Sequence, residues 1–388
     1  MTVIRGHIIA LKPNNKQTTY FKRACGVARL AYNWALAEWQ NQYKADKAYR
    51  DDCEQSGLDV DKLKLNSPSE SKLRKQLNAV KREQFPFMLE VTKCAPQLAI
   101  MQLGDAFNRF FKGEGKYPQF RKKGENDRFS LSNDQFKIAD INGKSFIQVP
   151  KLGRVRMREK LRFDGKILSA KIFARGGRWF VSIAVELAET VKPLPKTGKE
   201  IGVDLGVTHL AALSDGTKIQ APKPLKQKLK KLKRLNKQLS RKQKGSKNRA
   251  KAKTKLSRLH AKISCIRQDF LHKLTSGLVS RFDVICIEDL NVKGMVKNKR
   301  LSRAIGDLGF YEFKRQLVYK ANRFGRTVKS ADRFYPSSKT CSCCGFKLES
   351  LPLSARAWTC PDCGTMHDRD VNAGMNILNH AAKILTAN

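Results

Sequence analysis

Near its C-terminal end the sequence contains Cys341-Ser-Cys-Cys344, then Cys360-Pro-Asp-Cys363, and directly afterwards His367-Asp-Arg-Asp370-Val-Asn372. Fifteen residues separate the two Cys-x2-Cys pairs, and four thiolates at this spacing are typical of a tetrahedral structural zinc site. Cys343 lies inside the first pair, but the spacing favours its neighbours as ligands. A structural zinc ion needs no further carboxylates, so the acidic residues that follow indicate a second site for a harder metal ion.

Two earlier segments each deliver another carboxylate. In Lys199-Glu-Ile-Gly-Val-Asp204-Leu-Gly206, apolar residues alternate with small or acidic ones, which predicts a strand that buries one face and carries Asp204 on the other. The glycines on either side of Asp204 are expected to leave room for a phosphate. In Asp283-Val-Ile-Cys-Ile-Glu288, four consecutive apolar residues predict a strand buried on both faces, with Glu288 at its C-terminal end.

Taken together, these acids predict phosphodiester hydrolysis. An Asp, a Glu and an Asp at one edge of a sheet can hold two Mg²⁺ ions, which clamp a scissile phosphate, activate a water and stabilise the leaving oxygen. A Gly-x-Asp-x-Gly strand also occurs in actin-like phosphotransferases. That alternative explains neither the paired cysteines nor the charge of the chain.

The charge of this 388-residue chain indicates a polyanionic partner. Its 78 Lys and Arg outnumber its 34 Asp and Glu, for a net charge of +44. We find no amphipathic anchor, long charge-free run or lipidation signal, which argues against a membrane partner. Residues 1–7 lack the layout of a signal peptide, and most of the remaining cysteines are scattered, as in reducing compartments. We therefore expect a cytoplasmic protein.

The first half of the chain predicts a strand, a set of helices and a small antiparallel barrel. Apolar residues that step by three and four predict helices, and strict alternation between turns predicts strands. The predicted elements are a strand over 3–11, helices over 17–55, 68–83 and 92–112, and a strand-rich part over 127–187. The turns of that last part are predicted at Asn142-Gly143, Asp164-Gly165 and Gly176-Gly177.

Two basic segments are candidates for contacts with nucleic acid. The first interleaves aromatic rings, which can stack on bases, with cations, although a solvated loop pinned by its aromatics is an equal alternative. Its candidate residues are Tyr117, Phe120, Arg121, Lys122 and Lys123. The second, 223–258, holds seventeen Lys or Arg and no acid, with leucines at helical spacing. It predicts a helical arm along a phosphate backbone, with Lys230, Lys231, Lys233 and Arg234 as candidates.

The order of these motifs resembles the TnpB (OrfB) proteins of bacterial insertion sequences, which are relatives of type V CRISPR effectors. The resemblance rests on Gly-Val-Asp204-Leu-Gly, Ile-Glu288-Asp-Leu-Asn, Tyr335-Pro-Ser-Ser-Lys-Thr-Cys341, the second cysteine pair and Asp368-Arg-Asp370-Val-Asn-Ala. It is specific from about 199 to 384 and rests on general layout before that. One departure is Gly374, where many relatives have Ala.

The resemblance implies an RNA-guided DNA endonuclease that is encoded by a transposon. Such a protein binds a guide RNA from the transposon end and cuts double-stranded target DNA next to a short motif. Its fold would combine α/β, all-β and all-α parts, with an RNase H-like (RuvC) nuclease domain. The implied divisions are a wedge-like β-barrel at 1–15 and 113–190, a helical recognition domain at 16–112, a linker at 191–198, the nuclease domain at 199–338 and 366–388 with a basic helical arm at 223–280, and a zinc ribbon at 339–365.

The same resemblance implies a role for each site residue. Asp204, Glu288 and Asp370 would be catalytic and hold two Mg²⁺ (or Mn²⁺) ions, and Cys341, Cys344, Cys360 and Cys363 would hold one structural Zn²⁺. Asp368, Arg369 and Asn372 would support the ligands. The expected assembly is a monomer or weak dimer on RNA. Alternatives are a catalytically silent nucleic-acid-binding regulator of the same scaffold and an accessory transposase protein.

Overall fold

The computed structural model describes residues 3–56, 68–187, 192–352 and 354–383, with side chains to residue 381. The chain divides into two compact units, Met1–Thr190 and Val191–Asn388. Each unit encloses its own hydrophobic core. Secondary structure mixes helices and strands, so the mixed α/β content expected from the sequence is confirmed.

The helices of the first unit follow the predicted apolar stripes. Within its described residues they are α1 Asn15–Gln55, α2 Glu70–Gln84 and α3 Cys94–Phe111. Asn14 caps α1, because its side chain accepts a hydrogen bond from the N–H of Gln17 at 2.8 Å while the Gln17 side chain accepts from the N–H of Asn14 at 3.0 Å. The stripe residues Tyr20, Ala24 and Ala31 are buried in the core, which confirms the predicted helical face.

Seven strands of the first unit form one antiparallel sheet, in the order β2-β6-β7-β1-β5-β4-β3. The strands are β1 Val3–Lys12, β2 Arg128–Ser132, β3 Lys137–Ile141, β4 Lys144–Val149, β5 Gly153–Met157, β6 Gly165–Arg175 and β7 Arg178–Leu187. Two-residue turns at Asn142-Gly143 and Gly176-Gly177 have positive φ at both residues, as predicted. The turn predicted at 164–165 is wrong, because Gly165 is the first residue of β6 and pairs with Leu187.

The second unit is built on a five-stranded sheet in the order β10-β9-β8-β11-β12. The strands are β8 Glu200–Asp204, β9 Ala211–Leu213, β10 Lys218–Ile219, β11 Val284–Glu288 and β12 Thr327–Ala331. β11 lies between β8 and β12 and runs parallel to both, whereas β9 and β10 are antiparallel. Ile285, Cys286 and Ile287 have no exposed surface, which confirms a strand buried on both faces.

Helices surround this sheet, and a small cysteine-rich hairpin is inserted before the last of them. The helices are α4 Pro224–Ser240, α5 Lys247–Arg281, α6 Val292–Met295, α7 Ser302–Leu308, α8 Phe310–Phe324 and α9 Arg369–Lys383, and the hairpin pairs β13 Ala357–Thr359 with β14 Met366–Asp368. The segment 223–258, predicted as a basic helical arm, is helical but divided, because Gly245, with a φ of 85°, lies in a break between α4 and α5. Among the described residues, we find no helix with the length and apolarity to cross a bilayer.

Candidate active site and metal centre

Asp204 and Glu288 lie side by side at the ends of neighbouring parallel strands. The register of β8 and β11 pairs Ile201 with Ile285 and Val203 with Ile287. Each acid therefore comes directly after the last residue that pairs between these two strands. The two carboxyl groups are near enough that each shifts the pKa of the other. Residues that are 84 positions apart in sequence are therefore brought into contact by strand pairing alone.

The environment of this pair disfavours its negative charge. Burial raises the pKa of Asp204 well above its ordinary value, and the neighbouring charges of Glu288 and Asp370 raise it further. Burial also raises the pKa of Glu288, although hydrogen bonds with Asp204 and Ser337 oppose that effect. Two enclosed carboxylates with a third nearby are a donor set that suits an oxygen-binding divalent cation, since such an ion would neutralise the repulsion.

The third predicted acid, Asp370, lies at the start of α9 and is not in the same close contact. Its Oδ2 is 3.7 Å from Nδ1 of His209, and its Oδ1 is 3.7 Å from Nη1 of Arg356. In the described part of the chain, the cysteines are the only group of three or more potential ligands that lie within 4.8 Å of one another. The charge of Asp370 raises the pKa of Asp204.

Asp368 and Arg369 hold the first turn of α9 in place. The Asp368 carboxylate caps the helix by accepting hydrogen bonds from the N–H groups of Asp370 at 3.2 Å and Val371 at 3.1 Å. Its other oxygen is 2.5 Å from Nζ of Lys218. Arg369 donates to the carbonyl of Pro352 at 2.7 Å, and its charge also lowers the pKa of Asp204. Asp368 therefore fixes the helix end on which Asp370 lies.

Asn372 and Asn376, one turn apart on α9, bind the loop that links the acidic pair to the cysteines. Nδ2 of Asn372 donates to the carbonyl of Thr340 at 2.8 Å, and its Oδ1 accepts from the N–H of Ser342 at 2.9 Å. Nδ2 of Asn376 donates to the carbonyls of Ser337 at 2.8 Å and Thr340 at 2.6 Å. Both side chains are buried.

Ser337 and Asn376 are functional candidates that the sequence analysis did not identify. Oγ of Ser337 donates a hydrogen bond of 3.1 Å to Oε1 of Glu288 and so orients that carboxylate. Ser337 lies within the segment 335–341 that carried the family resemblance, and Asn376 lies four residues after Asn372. Spacing by one helical turn was the available signal for Asn376, whereas the contact between Ser337 and Glu288 has no signal in the sequence.

The four predicted cysteines converge on one point. The sulfurs of Cys341, Cys344, Cys360 and Cys363 all lie within 4.8 Å of one another. Sγ of Cys341 is 3.6 Å from Sγ of Cys363, and Sγ of Cys344 is 3.6 Å from Sγ of Cys360. A tetrahedral zinc ion with bonds of 2.3 Å requires sulfurs about 3.8 Å apart, so this donor set fits zinc.

Hydrogen bonds around the tetrad keep the thiols in position. The N–H of Cys341 donates to the carbonyl of Phe346 at 2.8 Å, and the N–H of Cys360 donates to the carbonyl of Thr365 at 2.9 Å, which forms two similar knuckles. Nε2 of His367 lies 3.0 Å from Sγ of Cys341 and is buried beside Trp358. The sequence analysis quoted His367 but gave it no role. Its place next to a thiol is a supporting contact.

The aromatic and basic residues of 117–123 are not equally available to a ligand. Phe120, Lys122 and Lys123 are exposed. Arg121 is half-buried, because its guanidinium lies 3.6 Å from the ring centre of Tyr32 and donates to Oε1 of Gln102 at 3.0 Å. Burial lowers its pKa to about 10. Arg121 thus contributes to packing within the first unit, and its contact with nucleic acid stays a prediction.

Tyr117 in the same segment is tied to α3. Its ring packs edge-on against Phe107 and Phe110, at centroid distances of 5.5 and 5.3 Å. The ring is still 39% exposed, which leaves an accessible edge. The predicted stacking on a base also stays a prediction.

The four candidates on α4 form an open basic surface. Lys230, Lys231, Lys233 and Arg234 are all exposed, whereas the leucines of the predicted stripe are half-buried. Residues of α4 and α5 line a groove of about 480 Å³ that includes Lys231, Arg234, Lys255 and Arg258. None of the lining residues is acidic, so the surface attracts polyanions.

Comparisons with known proteins match three parts of the chain to family models. Residues 182–299 match a family described as "Probable transposase", and 310–377 match "Cas12f1-like, TNB domain". Residues 1–48 match a "Helix-turn-helix domain", although the described part of this range contains a strand and a single helix.

Two relatives align over nearly their full lengths. A protein of Streptomyces pristinaespiralis named "Putative RNA-guided DNA endonuclease" is 36% identical over 94% of this chain and 86% of its own. A protein of Escherichia coli (strain K12) with the same description is 32% identical over 95% of this chain and 90% of its own. The cryo-EM structure of a Cas12f1–sgRNA–target DNA complex aligns with a TM-score of 0.59 and 12% identity, over 97% of this chain and 99% of that chain. This last likeness concerns the fold alone.

Proposed function

This chain belongs to the TnpB (OrfB) family, and on that premise we propose that it is an RNA-guided DNA endonuclease. It binds a guide RNA from a transposon end and cuts double-stranded DNA that pairs with the guide, next to a short motif. The observation that carries this proposal is the adjacent Asp204–Glu288 pair at the carboxyl edge of a parallel sheet, in a chain of net charge +44.

The sheet of the second unit supports an RNase H-like (RuvC) nuclease domain. Three parallel strands carry an antiparallel extension on one side, and both acids stand where parallel strands place their ligands. We assign 199–338 and 366–388 to this domain and 339–365 to an inserted zinc ribbon. In the first unit, 1–15 and 113–190 form the wedge-like barrel and 16–112 the helical recognition domain.

The catalytic chemistry follows from the donors at the site. Two Mg²⁺ ions at such a site supply an activated water and stabilise the leaving oxygen. Asp204 and Glu288 would hold the metal ions, and Asp370, at the start of α9, would complete the ligand set. Ser337 orients Glu288 through its hydrogen bond of 3.1 Å. Asp368 and Arg369 fix the helix end on which Asp370 lies.

The basic surfaces bind the nucleic acids. Guide RNA and target DNA both carry one negative charge per phosphate. The exposed cations of α4 and of 122–123 neutralise part of that charge. Base pairing with the guide reads the target sequence, so the protein needs only backbone contacts along most of the duplex. The assembly is a monomer or weak dimer on RNA.

The test is to purify the protein from cells that carry its native locus and to sequence the RNA that accompanies it. A single discrete RNA species should appear. Added back with Mg²⁺, it should direct cleavage of matching double-stranded DNA. A mixture of cellular RNAs removed by salt, with no cleavage of any target, would instead favour the silent nucleic-acid-binding regulator.

A further inference from the structure

A cleft of about 310 Å³ opens directly beside the acidic pair in the second unit. Glu288 lines it together with Leu205, which follows Asp204 in the chain. The cleft is therefore continuous with the place where the scissile phosphate would be held. No residue of the cleft besides Glu288 has a role in the chemistry proposed above.

Four residues that line the cleft are apolar, and together we call them its floor. They are Leu205, Leu290, Val292 and Phe310, of which Leu205 and Phe310 belong to the buried core and hold the floor in place. A rigid apolar floor beside a charged centre suits the flat face of an aromatic ligand, because such a face buries apolar area without needing hydrogen bonds.

One aromatic side chain that lines the cleft, and a second that is close to it in the sequence, are unusually exposed. Tyr311 lines the cleft and is 71% exposed, and Phe334, which follows the lining residue Arg333, is 92% exposed. These are the two most exposed aromatic side chains in the described part of the chain. Solvent-exposed rings next to a nuclease site are typical of platforms on which nucleobases stack.

The rim of the cleft is cationic and held in position. Nζ of Lys314 is 3.0 Å from Oδ1 of Asp289, and Nη2 of Arg333 is 2.5 Å from its Oδ2. The hydrogen bond from Lys314, followed in size by the one from Arg333, lowers the pKa of Asp289 and so favours its ionised form. Lys293 adds a third cation with no such partner in the described ion pairs. Three cations against two acids leave a net positive rim that attracts a phosphodiester backbone.

We infer that this cleft binds one unpaired nucleotide of the DNA strand, adjacent to the scissile phosphate, with its base stacked on Tyr311 and its flanking phosphate held by the rim. The inference rests on the proposed endonuclease function. A base within a duplex has both faces covered by its neighbours, so only an unpaired base can offer a face to Tyr311. Tyr311 is accordingly a positioning residue, and Phe334 extends the platform.

The first test combines protein variants with abasic substrates. Target DNA carries one abasic nucleotide at successive positions around the cut, and cleavage is measured with saturating guide. At one flanking position the abasic site should slow the wild type at least about fivefold, the equivalent of 1 kcal/mol of stacking. Tyr311→Ala should slow the cleavage of intact DNA by a similar factor, but it should not slow the cleavage of the abasic DNA any further. Tyr311→Phe should recover most of the cleavage rate on intact DNA.

The matched control is Tyr319→Ala, which removes a ring that is 40% exposed on the same helix but does not line the cleft. It should leave the rate unchanged. Equal slowing of intact and abasic DNA by Tyr311→Ala, or no position at which the abasic site matters, would overturn the inference.

A second test does not need cleavage. The Asp204→Ala variant is photocrosslinked to a single-stranded oligonucleotide containing 5-iodouracil, and the modified peptides are sequenced. Crosslinks at Tyr311 or Phe334 support the cleft even if no guided cleavage is ever observed, in which case only the proposed function fails. Crosslinks confined to other surfaces, such as α4 and α5, overturn the cleft even if guided cleavage is robust.

Discussion

Gly202 on strand β8 and Gly374 on helix α9 meet backbone to backbone: a Cβ at Gly202 would lie 1.9 Å from the carbonyl oxygen of Gly374. The sequence analysis expected Gly202 to leave room for a phosphate, and that expectation is wrong, because the helix occupies the space. The contact brings α9, and with it Asp370, onto the strand that carries Asp204. Gly374 is therefore part of the packing that assembles the site.

Substitution of the two glycines should have unequal effects. Gly202→Ala forces the helix away from the strand and should cost about 3 kcal/mol or more in unfolding free energy. In Gly374→Ala, the added Cβ would lie 3.1 Å from its nearest atom, the N of Ser214. The same change removes the roughly 1 kcal/mol penalty of a helical glycine. It should stay within about 1 kcal/mol of the wild type. Urea denaturation measures both, and equal losses would contradict the proposed packing.

Asp204→Asn should stabilise the protein in the absence of Mg²⁺ while it abolishes cleavage. The pKa values of Asp204 and Glu288 are raised in the folded protein. The pair therefore makes its full contribution to the free energy of unfolding only at pH values below the ordinary carboxyl range. That contribution is lost as the pH rises through the raised values, when both groups ionise in the enclosed site. The stabilisation by Asn should therefore grow with pH.

Melting temperatures between pH 4 and 8, without added divalent ions, test this. At the high end we expect a rise of at least about 2 °C, the shift that 1 kcal/mol produces in a domain of this size. Asp289→Asn is the matched control. Its pKa is lowered by Lys314 and Arg333, so its neutralisation should bring no gain. A gain in both variants would point to a general charge effect.

Cys360→Ser and Cys343→Ser should differ in zinc content. Cys360 is buried within the tetrad, whereas Cys343 is exposed and is not part of it. Metal analysis of the purified proteins should give about one zinc per chain for the wild type and Cys343→Ser, and clearly less for Cys360→Ser. Cys360→Ser should also be more easily cleaved by protease within 339–365, because a hairpin this small has little core besides its metal. Full zinc content in Cys360→Ser would refute the ligand set.

Asn376→Ala should destabilise the nuclease domain and slow cleavage without loss of zinc. The change removes two hydrogen bonds to the loop carbonyls of Ser337 and Thr340, and we expect a loss of about 2–3 kcal/mol. Ser337 would then orient Glu288 less firmly. Asn379→Ala, at an exposed position of the same helix, is the control and should behave as the wild type. If both variants cleave normally, the loop does not position Glu288.

Several features of this protein could be obtained from its sequence because they depend on short-range patterns. Alternation and runs of apolar residues located β8 and β11, the period of α1 located a buried face, and the cysteine spacing selected the four thiols that converge. In each case a side chain's direction is fixed by the local backbone, which repeats every two or every 3.6 residues.

Other features arise only when distant segments meet. Strand register brings Asp204 to Glu288, the crossing of α9 over β8 turns Gly202 from an open site into a contact, and the packing of 113–124 withdraws Arg121 beneath Tyr32. The same holds for the hydrogen bond of Ser337 with Glu288 and for the exposed ring of Tyr311 beside the acids. The sequence alone predicted which residues are candidates for the chemistry. The tertiary structure decided which of them touch, because such contacts depend on how separate elements pack and not on their spacing along the chain.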